Sequence, residues 1–298
     1  MMYHEPVLLQ KSIDGLNINP DGVYVDVTYG GGGHSKEILN RLKGGKLIAF
    51  DQDDDALQNI IDDERLILVN ANFRFIKNFL MFYKVLPVDG ILADLGISSH
   101  QIDNTERGFS TRFNSELDLR MDRKSGQSAK EVLASYTEEE LKKMFFEFGE
   151  LSNAKSLAKA IVFEREYNEI STVNDIKKVL ERYAERGREN KFYAKVFQAL
   201  RIEINHEIEA LDEFLKQSIE VLKPEGRLVV ISYHSLEDRL VKNYMKSGNA
   251  EGTIEKDFYG HEKVPFKMIT RKPLVPSEEE IEINKRARSA KLRIAIKN

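Results

Sequence analysis

The sequence predicts an α/β protein, built on a Rossmann-like, mostly parallel sheet with an antiparallel edge strand and carrying an inserted all-helical domain. Three observations lead there. Short apolar runs alternate with helical patterns at both ends of the chain, as in right-handed βαβ units. The alternation stops for roughly a hundred residues in the middle, far beyond an ordinary crossover connection, and helix signals fill the gap. A run of four glycines, Gly30 to Gly33, follows the first strand.

The strands are expected at Val23 to Val27, Lys46 to Phe50, Arg65 to Val69, Val88 to Asp94 and Arg227 to Ser232. A helix should start near Ser35, and others should cover Asp53 to Ile61 and Ile76 to Tyr83. Asp26, Asp51, Phe73 and Asp94 all fall at or just past C-terminal strand ends, where open parallel sheets bind ligands. In the central region Ser128 with Glu131 and Thr137 with Glu140 form capping-box patterns. Leu141, Met144, Phe145 and Phe148, then Ile176, Val179, Leu180 and Tyr183, repeat at helical spacing and are core stripes. The chain thus divides into 1–104, a helical insertion 105–195, and 196–298. Beyond it lie a helix through Ile208 and Leu222, a helix from Leu236 capped by Ser235 with Asp238, and two late strands, Pro265 to Thr270 and Lys291 to Ile296, expected as an antiparallel edge pair.

With 298 residues, 41% hydrophobic and 32% charged, the composition is that of a folded globular chain. The absence of cysteine excludes disulfides, thiol nucleophiles and cysteine zinc sites and fits a reducing, cytoplasmic setting. Met1 to Ile13 has no long apolar core of the secretory kind, and no run is long enough to span a bilayer. A net charge of −4 argues against coating nucleic acid by overall charge. Local clusters matter more: Lys285, Arg286, Arg288, Lys291, Arg293 and Lys297 near the C-terminus, and Arg182, Arg186, Arg188, Lys191, Lys195 and Arg201. Either can hold a phosphate backbone or simply be a solvated face.

Glycine tolerates positive φ and presents no Cβ, so the loop suits close approach of backbone to a ligand. A dinucleotide fingerprint needs a third glycine where Ser35 stands. Asp26-x-x-x-Gly30-x-Gly32 instead has the shape of the first motif of S-adenosylmethionine (SAM) methyltransferases. Asp51, ending the second strand, suits an adenosine ribose of either cofactor. The six histidines are scattered without metal-ligand spacing, and neither a nucleophile elbow nor a phosphate-loop lysine is present, so acyl and phosphoryl transfer fall away.

A series of motifs in chain order carries a resemblance. It runs from His4-Glu5-Pro6-Val7-Leu8-Leu9 through Gly32-Gly33-His34-Ser35, Asp89-Gly90-Ile91-Leu92-Ala93-Asp94-Leu95-Gly96-Ile97-Ser98-Ser99 and Glu106-Arg107-Gly108-Phe109-Ser110. It continues through Leu117 to Asp122, Gly126 to Ala129, Phe197 to Ile202 with Asn205, Ser232 to Arg239, and Arg286 to Ser289. The chain closely resembles the RsmH (MraW) family of bacterial 16S ribosomal RNA cytosine-N4 methyltransferases. His100, Leu119, Tyr233 and Lys285 depart from residues common there, as does Glu150 to Asn153.

The resemblance implies a class I SAM-dependent methyltransferase acting on one cytidine of the decoding region in the small (30S) subunit, with a homodimer one of its open oligomeric states. It places SAM on Gly32, Gly33, His34, Asp51, Phe73, Asp94 and Gln101. Cytosine's exocyclic amine is a poor nucleophile, and an acceptor beside it favours a pyramidal nitrogen and receives its proton. Asp94 or nearby carbonyls are candidates for that role, with Tyr233 or Phe109 as a stacking surface for the extruded base and His234 as a secondary catalytic candidate. Arg201, Arg286 and Arg288 are candidate RNA phosphate contacts, with an internal ion pair the alternative for Arg201. Against the methyltransferase stand two other readings, a non-catalytic ribosome-assembly factor that keeps the fold to bind RNA, and an NAD-dependent oxidoreductase.

Overall fold

The computed structural model describes residues 6–124 and 126–298; His4 and Glu5 of the N-terminal motif lie outside them. The chain folds as two compact units. One joins the residues up to Gly96 with Ile208–Asn298, and the other is Ile97–Glu207.

The first unit is built on a seven-stranded sheet: β1 (Val23–Asp26), β2 (Lys46–Asp51), β3 (Leu66–Asn70), β4 (Val88–Asp94), β5 (Leu222–Ser232), β6 (Phe266–Met268) and β7 (Lys291–Lys297). The spatial order is β3-β2-β1-β4-β5-β7-β6. The first five strands are parallel, β7 runs antiparallel to β5, and β6 closes the edge antiparallel to β7. The late strands therefore do form an antiparallel pair, with β6 outermost. Side chains alternate across the sheet as the period of two requires. Val25, Ile91, Leu228 and Val230 enter the core on one face, and Tyr24, Leu92, Val229 and Ile231 enter the core on the other.

Several local expectations shift. The helix after β1 begins at Gly33, because Gly32 takes the left-handed conformation (φ 76°) at its N-cap. Asp54–Asn59 is a 3-10 helix in place of the α-helix expected over Asp53 to Ile61; Asp53 caps it by accepting from the Asp55 N–H. The helix before β5 is Glu207–Val221, and β5 already pairs at Leu222, opposite Val88.

The second unit holds the helices Ser99–Asp103, Ala129–Ser135, Glu138–Glu147, Ala154–Glu164, Val173–Leu180 and Glu189–Asn205. Both anticipated capping boxes form, and Ser98 with Gln101 and Thr172 with Asp175 add two more. Leu141, Met144, Phe145, Ile176 and Leu180 are buried in its core, with Phe148, Val179 and Tyr183 packed against them. Its bounds are wider than 105–195, for a reason visible in the last helix. Phe192, Val196, Phe197, Leu200 and Ile204 of Glu189–Asn205 all enter that same core, so the helix cannot be cut at residue 195. No helix among the described residues is long and apolar enough to cross a membrane.

Candidate functional site

Neighbouring strands bring three carboxylates to one end of the sheet. β2, β1 and β4 lie side by side and end in Asp51, Asp26 and Asp94. The chain then turns through Thr28 to Gly32, and hydrogen bonds fix the turn. Asp26 Oδ1 accepts the Thr28 N–H at 3.1 Å, and Asp94 N–H donates to Thr28 Oγ at 2.7 Å. Tyr29 N–H donates to the Phe50 carbonyl at 2.8 Å, tying the loop to β2.

Asp26 is buried, 1% exposed, and takes the Ser35 hydroxyl on Oδ2 at 2.6 Å. Burial raises its affinity for a proton, against the hydrogen bonds from Ser35 and Thr28. Asp51 accepts the Gly30 N–H at 2.7 Å and the Asp53 N–H at 2.9 Å. A carboxylate has about four lone-pair sites, so acceptor capacity remains for two hydroxyls. Burial pushes its pKa up to about 6.

Asp94 accepts the Tyr233 hydroxyl on Oδ1 at 2.8 Å, and its Oδ2 stands 3.8 Å from His34 Nδ1. Burial pushes it to about 6 as well. Tyr233 follows β5, so two adjacent strand ends supply this pair. Phe73 opens a 3-10 helix, Phe73–Phe75, just past β3, packed edge-on to Phe214 with ring centroids 5.4 Å apart.

The two glycines of the loop have different reasons to be glycine. Gly32 combines positive φ with a Cβ position 2.8 Å from the Tyr29 hydroxyl. A Cβ on Gly33 would lie 2.2 Å from Pro6 Cγ, so its bareness serves packing of the N-terminal segment.

The remaining expected site residues have local partners of their own. His234 is the N-cap of the helix Ser235–Ser247, the place expected for Ser235: its ring accepts from the Glu237 N–H, and Glu237 accepts from the Tyr233 and His234 N–H groups. Asp238, expected to pair with Ser235, instead accepts from Arg293, with Lys291 also beside it. Phe109 is 7% exposed, in the core of the helical unit with the Arg107 guanidinium over its ring, and offers no face to a base. Gln101 Oε1 accepts the Ser98 N–H in its own helix cap. Arg201 makes a two-pronged pair with Glu207 at 2.8 and 2.9 Å, which is the alternative to a phosphate contact. In the same cluster Arg188 pairs with Glu185, and Lys195 donates to the Glu150 carbonyl. Near the C-terminus Arg293 is buried on Asp238 and Lys297 lies over Phe266, while Arg288 is exposed and Arg286 half-buried.

Sequence reasoning missed Thr28, Ser35 and Val7 as parts of the site. For Thr28 a signal existed: an acid two residues before a threonine at a strand end is an Asx-type pattern.

These residues fit an adenosyl cofactor. Asp51 has free acceptor sites, Phe73 stands beside β3, and the loop leads straight into a helix N-terminus. A mixed sheet of this order with acids at the ends of β1, β2 and β4 is the frame of a class I SAM-dependent methyltransferase, and this is the class of enzyme the chain represents. Residues 1–298 match the family described as the MraW methylase family, and the chain belongs to it. Ribosomal RNA small subunit methyltransferase H from Flavobacterium johnsoniae is 59% identical over 298 residues, covering 100% of this chain and 98% of the relative. The protein of the same name from Bacteroides thetaiotaomicron is 54% identical, with the same coverage. Among solved structures, a putative rRNA methylase from Clostridium thermocellum aligns over the whole of both chains at 13% identity and a TM-score of 0.46.

Proposed function

We propose that this enzyme methylates ribosomal RNA of the small subunit, and more narrowly the exocyclic N4 amine of one cytidine in the decoding region of 16S rRNA, within the 30S particle. The observation that carries the reading is the end-to-end match, at 54 to 59% identity, to relatives named for methylating small-subunit RNA. The narrower statement is supported by the motif series that resembles the cytosine-N4 family and by a hydrogen-bonded, partly exposed carboxylate, Asp94, at the end of β4.

SAM, when bound, supplies an already activated methyl group, so the protein's task is mainly alignment. Asp51 would accept the ribose hydroxyls and Phe73 would hold the adenine. Gly32, Gly33 and His34 would hold the remainder of the cofactor through their backbone, and Gln101 is assigned to it by resemblance. Asp94 accepts a hydrogen bond from the target amine, which holds the nitrogen lone pair toward the methyl group. The Tyr233 ring, anchored through its hydroxyl to Asp94, is the stacking surface for a base taken out of its stack. Arg288 and Arg286 are the phosphate contacts, and Arg201 is withdrawn from that role.

The test is transfer of labelled methyl from SAM to small subunits lacking base methylation, with the nucleoside identified by mass spectrometry. N4-methylcytidine at a single position supports the reading. Another methylated nucleoside would replace the base assignment, and SAM binding without transfer to RNA would favour the assembly factor.

A further inference from the structure

His34 stands behind Asp94, and its hydrogen bonding restricts where its own protons can be. Nε2 lies 3.2 Å from the Val7 carbonyl oxygen. A carbonyl only accepts, so Nε2 carries the hydrogen, and in the neutral ring Nδ1 is a bare lone pair. Nδ1 lies 3.8 Å from Asp94 Oδ2, an atom that also carries only lone pairs when ionised. The His34 side chain is 6% exposed, and burial lowers its pKa and keeps the ring neutral. Two acceptors this close make a place for one proton, which either can carry and neither holds alone. Asp94, 22% exposed, is the open end of the pair and His34 the closed end.

We propose that Asp94 and His34 form a one-proton dyad: Asp94 takes a proton from the substrate amine and shares it with Nδ1 of His34, while Tyr233 holds the carboxylate in orientation. The inference rests on the reading of Asp94 as the acceptor of the amine. As the amine lone pair forms the bond to the methyl carbon, the sulfur keeps the electrons of the bond that breaks. One N–H proton passes to Asp94, its electrons remaining on nitrogen, and the proton later leaves to solvent. His34 is thereby a positioning residue that acts through Asp94. Closing the 3.8 Å gap to hydrogen-bond length needs a movement of about 1 Å. The other groups that act on Asp94 are Asp26 at the end of β1 and Glu237 after β5, whose charges favour proton uptake, and the Tyr233 hydroxyl, which opposes it.

The test uses the protein alone, without SAM or RNA, labelled with 15N in histidine and 13C in aspartate carboxyls. At about pH 8 the His34 ring should be the Nε2–H tautomer. On acidification the Nδ1 and Asp94 carboxyl signals should move with one shared midpoint, above the ordinary carboxylate range. Tyr233→Phe removes a donor to the ionised carboxylate, so both midpoints should rise together by roughly half a unit or more. Asp94→Asn should remove that step from the His34 signals, and the tyrosine variant serves if the asparagine protein does not fold. A His34 signal that stays flat while Asp94 titrates, or moves with a midpoint that Tyr233→Phe leaves unchanged, overturns the dyad. A shared midpoint in an enzyme that makes no N4-methylcytidine would keep the dyad and overturn the substrate reading.

Discussion

Ser35, on the first turn of the helix after the glycine loop, donates its hydroxyl to Asp26 Oδ2 at 2.6 Å, and the two side chains are 0% and 1% exposed. The serine that breaks the dinucleotide glycine pattern is thus the partner of a carboxylate buried beneath the loop. Ser35→Ala would leave that carboxylate one donor short. We expect a loss of about 1–3 kcal/mol, larger at high pH where Asp26 is ionised and the bond is charge-assisted. Thermal melts of both proteins at two pH values check this; equal melting temperatures throughout would sink the idea.

Asp51 gives a pH dependence whose sign differs between binding and stability. Its pKa is raised from 3.8 to about 6, chiefly by burial. Below that value the carboxyl is protonated and loses acceptor sites for ribose hydroxyls, so SAM affinity should rise as pH passes through 6 and level off above about 7. The cofactor-free fold behaves in the opposite way. A raised acid pKa contributes stability that is full below the unfolded value and is lost as pH rises through the folded one. Calorimetric titration at several pH values should show the rise in wild type, whereas Asp51→Asn should bind weakly, by roughly 10- to 100-fold, and with little slope.

The first five strands could be read in the sequence because their signals are local: apolar runs, acids at their ends, and capping residues three apart. Partners brought together by folding could not be read that way. The sequence left Arg201 open between a phosphate contact and an internal ion pair without naming Glu207 as the partner, and it read Asp238 as part of a cap, whereas its partner is Arg293, far along the chain. The His234 cap was missed for a different reason. Serine is the commoner N-cap, and only the backbone angles of His234 (φ −135°, ψ 167°) show that the cap lies one residue before the serine.

Gly33 should be intolerant of even one methyl group. Its Cβ position overlaps Pro6 Cγ at 2.2 Å, so Gly33→Ala must displace the N-terminal segment that also supplies the Val7 carbonyl to His34. Overpacking of this kind costs about 1–3 kcal/mol. Adding Pro6→Ala should recover part of the loss, because the two changes share one contact. A double-mutant cycle read by chemical denaturation tests it, and strict additivity would contradict the packing assignment.

Two arginines that the sequence offers alike as RNA contacts should separate cleanly. Arg201 and Glu207 are 13% and 11% exposed and joined by two hydrogen bonds, so Arg201→Ala strands a largely buried acid and should destabilise the helical unit by about 2–4 kcal/mol. Any loss of RNA binding in that variant would follow from lost structure and would track its melting temperature. Arg288 is exposed on a short 3-10 helix, Lys285–Ser289. Its alanine variant should melt within about 0.5 kcal/mol of wild type. It should also bind small subunits more weakly and with a salt dependence shallower by about one phosphate contact, while SAM affinity stays unchanged. Binding measured over a range of salt concentrations decides it, because a solvated arginine with no RNA partner would leave both the affinity and the slope where they were.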